Sequence, residues 1–136
     1  MANTWGYGAM TNHLGDIQNA KSIFIIGSNP AVNHPVGFRH FLKAKEKGAK
    51  LIVIDPRYTR TAAKADYFAQ IRPGTDIPFM YGMMNIIFQN GWEDKEFIND
   101  RVYGMDLIRE EAAKWTPEVV ADVCGIKKET LLEITE

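Results

Sequence analysis

Cysteine is nearly absent from this chain, and that scarcity excludes several architectures at once. Cys124 stands alone, so no internal disulfide can form, and by itself it supplies neither a zinc site nor an iron–sulfur site. An excess of charge of one sign is missing too. Sixteen lysines and arginines face 17 aspartates and glutamates, a formal net charge of −1, which recommends neither nucleic acid nor an anionic membrane surface as a partner. Long hydrophobic runs are lacking: the longest, over residues 77–88, is too short and too interrupted to span a bilayer. No signal peptide is expected at the N-terminus, and no internal repeat or low-complexity segment appears. What remains suits one folded domain, since 46% hydrophobic residues can build a core and 24% charged residues argue against disorder.

Two short apolar blocks give the chain its frame. Ile23 to Ile26 and Leu51 to Ile54 show no polar alternation, the pattern of strands covered on both faces in a parallel sheet. A third strand is expected over residues 67–71. Between them, Pro35 opens a helix through Lys47 with Phe38, Phe41 and Leu42 on one face, Lys43, Lys45, Glu46 and Lys47 in solvent, and Gly48 as its C-cap. Residues 61–64 read as a short helix, and residues 9–20, with Met10, Leu14 and Ile17, as a modest one after a Gly6-Tyr7-Gly8 loop. The second half reads as helices. Residues 77–88 are apolar nearly all round, so that helix is expected to be buried on most sides. Residues 93–100 and 106–114 follow, with Trp92, Phe97, Ile98, Leu107 and Ile108 as expected core contacts. Thr116 and Pro117 start another helix that Gly125 stops, and residues 128–136 begin the last. The fold class is therefore α/β: a three-layer Rossmann-like domain with a short parallel sheet and a helical C-terminal part. Right-handed crossovers would bring the three loops that follow the strands to one edge of that sheet.

Those loops carry the candidate chemistry, and each has a plain structural alternative. Gly27-Ser28-Asn29 ends the first strand; it reads as a turn facing a phosphate, or as a tight turn with a helix cap. Asp55 ends the second, where dinucleotide-binding folds place an acid on ribose hydroxyls. Alternatively it caps its own turn or pairs with Arg57 or Arg60. An ordinary nicotinamide site is weakly supported, because Gly27 and Gly37 do not form Gly-x-Gly-x-x-Gly and Asp55 lies 28 residues beyond Gly27. Asp76, after Gly74 and Thr75, offers a carboxylate to N1–H and the 2-amino group of guanine, or caps the long helix with Pro78 in its first turn.

Three strings carry a family likeness: Ile26-Gly-Ser-Asn-Pro-Ala with His34-Pro35, Val53-Ile-Asp-Pro-Arg-Tyr-Thr-Arg-Thr61, and Ile71-Arg-Pro-Gly-Thr-Asp76. Together they resemble the molybdopterin oxidoreductases of the dimethyl sulfoxide reductase superfamily. Gly6-Tyr7-Gly8-Ala9-Met10-Thr11-Asn12 and the stretch from Asn90 to Ile98 narrow the likeness to the formate dehydrogenase catalytic alpha subunit. The resemblance implies a single domain over residues 1–136 that binds one guanosine dinucleotide arm of a molybdenum or tungsten bis(molybdopterin guanine dinucleotide). By position, Ile26, Gly27, Ser28 and Asn29 with Val32 and Asn33 would line pyrophosphate and sugar. Asp55, Pro56, Arg57 and Thr59 would hold the ribose side, and Gly74, Thr75 and Asp76 would read guanine.

The same resemblance implies formate oxidation in the parent enzyme, but no residue here is expected to be catalytic or to bind metal. Neither a Cys-x-x-Cys cluster nor a cysteine followed by histidine is present, and Cys124 is assigned to the core. A 4Fe–4S cluster, the remaining domains and an iron–sulfur electron-transfer subunit belong to the parent protein. The chain is accordingly expected to be an excerpt of a larger catalytic subunit, as Met1-Ala2 followed at once by Asn-Thr-Trp and an end in mid-helix also suggest. Nucleic acid and direct membrane contact are not expected. Nitrate, sulfoxide or polysulfide reductases and non-catalytic electron-transfer subunits share the pattern as alternatives. A helix-turn-helix over residues 117–135 is a distant one, since Glu129, Glu133 and Glu136 would repel DNA phosphates. His34 sits beside the first loop; His13 and His40 read as surface or packing residues. Arg57, Arg60 and Arg72 would neutralise phosphates or pair with Asp55, Asp66 or Asp76.

Overall fold

A computed structural model describes residues 11–136, so the Gly6-Tyr7-Gly8 loop and the first residues of the helix expected from Ala9, Met10 included, lie outside the described residues. Strands β1 (Ser22–Ile26), β2 (Lys50–Ile54) and β3 (Tyr67–Ala69) form a parallel sheet in the order β1-β2-β3. Ile26 lies opposite Ile54, and Ile54 opposite Ala69. Helices α1 (Pro30–Asn33) and α2 (Pro35–Glu46) join the first two strands, and a 3-10 turn, Ala62–Lys64, precedes the third. Then come α3 (Asp76–Asn90), α4 (Lys95–Arg101), α5 (Met105–Ala113), α6 (Pro117–Cys124) and α7 (Lys128–Thr135).

The two-residue period of the strands sorts their side chains into two cores. Ile23, Ile25, Leu51 and Val53 face Phe38, Phe41 and Ala44 of α2, with Ile17 packed alongside. Phe38 and Phe41 stack at 5.4 Å between ring centroids. On the opposite face Ile54 and Ala69 join Ile71, Phe79, Ile86, Val120, Cys124, Leu131 and Ile134 from α3, α6 and α7. Helix, sheet and helix make the three layers expected from the sequence.

Several local expectations fail for identifiable reasons. Residues 14–19 form a 3-10 helix, Leu14–Asn19, rather than a longer one, and the His13 side chain accepts from the Gly15 N–H to start it. The strand β1 is not covered on both faces: Phe24 is 37% exposed and Ser22 is exposed. It is a sheet edge, and the second helical layer centres on Ile54, Ala69 and Ile71 instead. Nor is α3 buried all round. Phe79, Gly82, Asn85 and Ile86 face inward, while Ile77 is 68% exposed and Met80 is exposed. Gly82 decides which face wins, because a side-chain carbon there would meet Val120 Cγ2 at 2.7 Å and Leu131 Cδ2 at 3.2 Å; only a residue without one lets α6 and α7 come so close. Trp92, Phe97 and Leu107, expected in the core, are exposed. Helix α5 packs on α3, where the Asn85 amide donates to the Ala112 carbonyl at 2.7 Å. Lys45, expected in solvent, is half-buried and pairs with Asp66 at 2.9 Å. Among the described residues no helix is long and apolar enough to cross a membrane.

Candidate functional site

Parallel strands all end at the same edge of their sheet, so residues 27–34, 55–61 and 70–75 leave it side by side. The ladder continues into the loops: Gly27 N donates to Ile54 O at 2.9 Å and Asp55 N to Ala69 O at 3.2 Å. Glycine is required at the turn itself, since Gly27 has φ +61 and Gly74 φ +81. An added side-chain carbon would meet nothing within 4 Å at either position, so both turns open onto free space.

Side chains then lock the loops to one another. The Thr61 hydroxyl, fully buried, accepts from Ala31 N at 3.0 Å and donates to Asn29 Oδ1 at 2.8 Å, joining the second loop to the first. Gln70 Nε2 donates to the Pro56 carbonyl at 3.0 Å and joins the third to the second. The third loop is also tied to the helical layer, where Arg72 donates to the Asp122 and Val123 carbonyls at 2.6 and 3.2 Å and Cys124 Sγ to the Thr75 carbonyl at 3.6 Å. Burial pushes the Cys124 thiol above its ordinary value, which suits a core group and not a nucleophile.

The expected site residues fall into committed and uncommitted sets. Asp55, 6% exposed, turns Oδ1 onto the Arg57 N–H at 2.7 Å, and it makes no ion pair with Arg57 or Arg60. Thr59 is buried with its hydroxyl accepting from Ala62 N at 3.1 Å. Pro56 is half-buried behind its bond to Gln70. Thr75 is the N-cap residue of α3, its hydroxyl turned back onto the Arg72 carbonyl at 2.7 Å. Asp76 is the first residue of that helix, exposed, and no hydrogen bond to its carboxylate is found among the described residues, so it does not cap α3. Ser28, Val32, Asn33 and Arg57 are exposed, and Ile26 and Asn29 half-buried.

Arg72 makes no ion pair with Asp76; it closes the carboxyl end of α6, whose last carbonyls have no helical partners. That contact spans about 50 residues of sequence, and no local pattern announces it. Thr61 ends the Val53-to-Thr61 string without having been singled out from it, and it is the buried residue that ties the second loop to the first. Among the described residues no group of three His, Cys, Asp or Glu side chains is arranged to hold a metal ion. A cleft of about 970 Å3 lies on α4, lined by Asp94, Phe97 and Arg101, and not at the sheet edge. Ser28 and His34 instead line an apolar groove of about 520 Å3 along β1 with Phe24 and Phe41. Helices α6 and α7 bury Val120, Cys124, Leu131 and Ile134 in the second core, leaving Glu129 and Glu133 outward, a surface that disfavours nucleic-acid phosphates.

Comparison with known proteins adds an independent line. A family model described as molybdopterin oxidoreductase matches residues 3–130. The F420-dependent formate dehydrogenase subunit alpha of Methanocaldococcus jannaschii is 45% identical over 133 residues, which is 98% of this chain and 20% of that protein. The formate dehydrogenase-O major subunit of Escherichia coli is 36% identical over 189 aligned residues, 100% of this chain and 19% of that protein. Among solved structures, acetylene hydratase from Pelobacter acetylenicus superposes with a TM-score of 0.79 at 27% identity, covering 90% of this chain and 18% of that one. The chain thus spans about a fifth of the length of these two curated relatives.

Proposed function

The chain belongs to the molybdopterin oxidoreductase family, and from that premise we propose that it forms one cofactor-binding domain, residues 1–136, of the catalytic alpha subunit of a formate dehydrogenase. Membership brings a molybdopterin cofactor carrying molybdenum or tungsten. The finer reading is that the group is a bis(molybdopterin guanine dinucleotide) and that this domain holds one guanosine dinucleotide arm. The observation that carries it is the uncommitted Asp76 carboxylate on the same sheet edge as the open Gly27 turn.

The donor set suits such an arm. Over Gly27 no side chain obstructs close approach, and the Ser28 hydroxyl with the Asn29 amide supplies donors to a pyrophosphate. Val32 and Asn33 border the sugar. Asp55 and Thr59 act by shaping the second loop, with Arg57 exposed for an anion. Gly74 keeps the third loop open while Asp76 accepts from N1–H and the 2-amino group of guanine, a pair of donors that adenine lacks. When bound, the group would supply the metal for oxidation of formate to carbon dioxide, and a 4Fe–4S cluster of the parent subunit and an iron–sulfur partner would receive the electrons. This chain contributes binding and orientation only. Likeness to acetylene hydratase means that the fold alone does not choose the substrate; the formate assignment rests on 45% and 36% identity to formate dehydrogenase subunits.

Titration with GDP and with ADP, followed through backbone amides by NMR, tests the reading. Shifts are expected in residues 27–29 and 74–76, with GDP favoured by roughly tenfold or more, as two charge-assisted hydrogen bonds would give. Equal binding of the two nucleotides, or shifts confined to other loops, would contradict it.

A further inference from the structure

We infer that Thr61 is a positioning residue that sets which end of the Asn29 amide faces the ligand. The inference rests on the reading of this edge as a nucleotide pyrophosphate site. A threonine hydroxyl has one hydrogen to give. Ala31 N–H is a donor only and occupies one of the two acceptor positions on Thr61 Oγ1 at 3.0 Å, and the hydroxyl hydrogen is given to Asn29 Oδ1, 2.8 Å away. Asn29 thus presents its oxygen inward to Thr61, and its NH2 group, on a half-buried side chain two residues beyond the open turn at Gly27, makes no hydrogen bond among the described residues. The relay runs from Ala31 N–H through Thr61 O–H to Asn29 Oδ1. With Thr61 fully buried, water does not readily replace the link. An amide turned the other way would aim a carbonyl oxygen at a phosphate oxygen, so the relay selects for an anion.

The experiment compares wild type, Thr61→Val, Thr61→Ser, Asn29→Ala and the double variant Thr61→Val/Asn29→Ala by NMR titration with GDP. Thr61→Val keeps the shape and removes the relay; GDP affinity is expected to fall roughly tenfold, the scale of one lost charge-assisted hydrogen bond. Thr61→Ser keeps a hydroxyl and should restore affinity to within about twofold. In the Asn29→Ala background, Thr61→Val should cost nothing further, because its effect passes through Asn29. Unchanged affinity in folded Thr61→Val, or an equal loss with and without Asn29, overturns the inference. Should Thr61→Val fail to fold, the Asn29 side-chain NH2 resonances of wild type decide: they shift on GDP addition if the relay aims them at the ligand, and their staying put refutes it. Failure of wild type to bind GDP at all counts instead against the nucleotide site.

Discussion

In the sheet half, Asp55, Thr59 and Thr61 accept hydrogen bonds from the backbone N–H groups of Arg57, Ala62 and Ala31. In the helical half, Asp94 and Thr116 accept from the Phe97 and Val119 N–H groups at helix starts, while Asn85 and Arg72 donate to the carbonyls of Ala112, Asp122 and Val123. The second loop is braced mainly by side-chain oxygens, with Gln70 donating to Pro56, whereas side-chain donors satisfy the carbonyls that finish α5 and α6. The difference divides labour. The helices fix the sheet from behind, and the loops hold the groups that meet a ligand, so stability and recognition should separate under mutation.

The largest expected effect lies in the helical half. Phe79 is fully buried among Ile54, Ala69, Val120 and Leu131, and Phe79→Ala should lower unfolding free energy by about 4 kcal/mol in urea. Folded protein that remains should keep its preference for GDP over ADP; a changed preference would break the separation. Gly82→Ala comes next. Its new carbon would stand 2.7 Å from Val120, and crowding of about 1–3 kcal/mol is offset by about 1 kcal/mol of helix propensity, leaving a net loss of about 1 kcal/mol and a lower Tm.

Asp66 sharpens the comparison from within the sheet half, at the end of the strands opposite the ligand loops. Burial pushes its carboxyl up, but the Leu51 N–H at 2.7 Å and the Lys45 ammonium outweigh this, and the folded pKa lies below the ordinary value. A lowered carboxyl stabilises the fold fully above its unfolded pKa, and that contribution is lost as pH falls through the folded value. Wild type should therefore lose stability below about pH 4 relative to Asp66→Asn, whose own cost at pH 7 should be about 1 kcal/mol for a partly exposed group. Thermal unfolding at pH 7 and pH 3 reads both, and an equal pH response in the two proteins would dismiss the Asp66 contribution.

The sheet was legible because Ile23 to Ile26 and Leu51 to Ile54 are short, apolar and closed by Gly27 and Asp55-Pro56, signals that do not depend on distant residues. The helix starts at Thr116-Pro117 and stops at Gly125 were equally local. Packing was not. The inward face of α3 could not be picked from residues that are apolar on every side, since the choice is made by Gly82 meeting Val120. Trp92, Phe97 and Leu107 look like core by composition, and their exposure depends on what surrounds α4 and α5. At the candidate site the motif positions could be named in advance, but the α6 partners of Arg72 lie about 50 residues away and the bonds of Thr61 reach back about 30, beyond any local pattern.

The guanine-reading carboxylate is the central claim, and substituting Asp76 alone tests it most directly. Asp76→Asn would set an amide NH2 against the guanine 2-amino group, donor facing donor, while pairing with the 2-oxo group of xanthine. Because Asp76 makes no cap bond in α3, stability should change by less than about 0.5 kcal/mol. Calorimetric titration of both proteins with GDP, XDP and ADP is expected to show GDP preferred by the native chain and XDP by the variant. A GDP-to-XDP ratio that the substitution leaves unaltered would contradict the account.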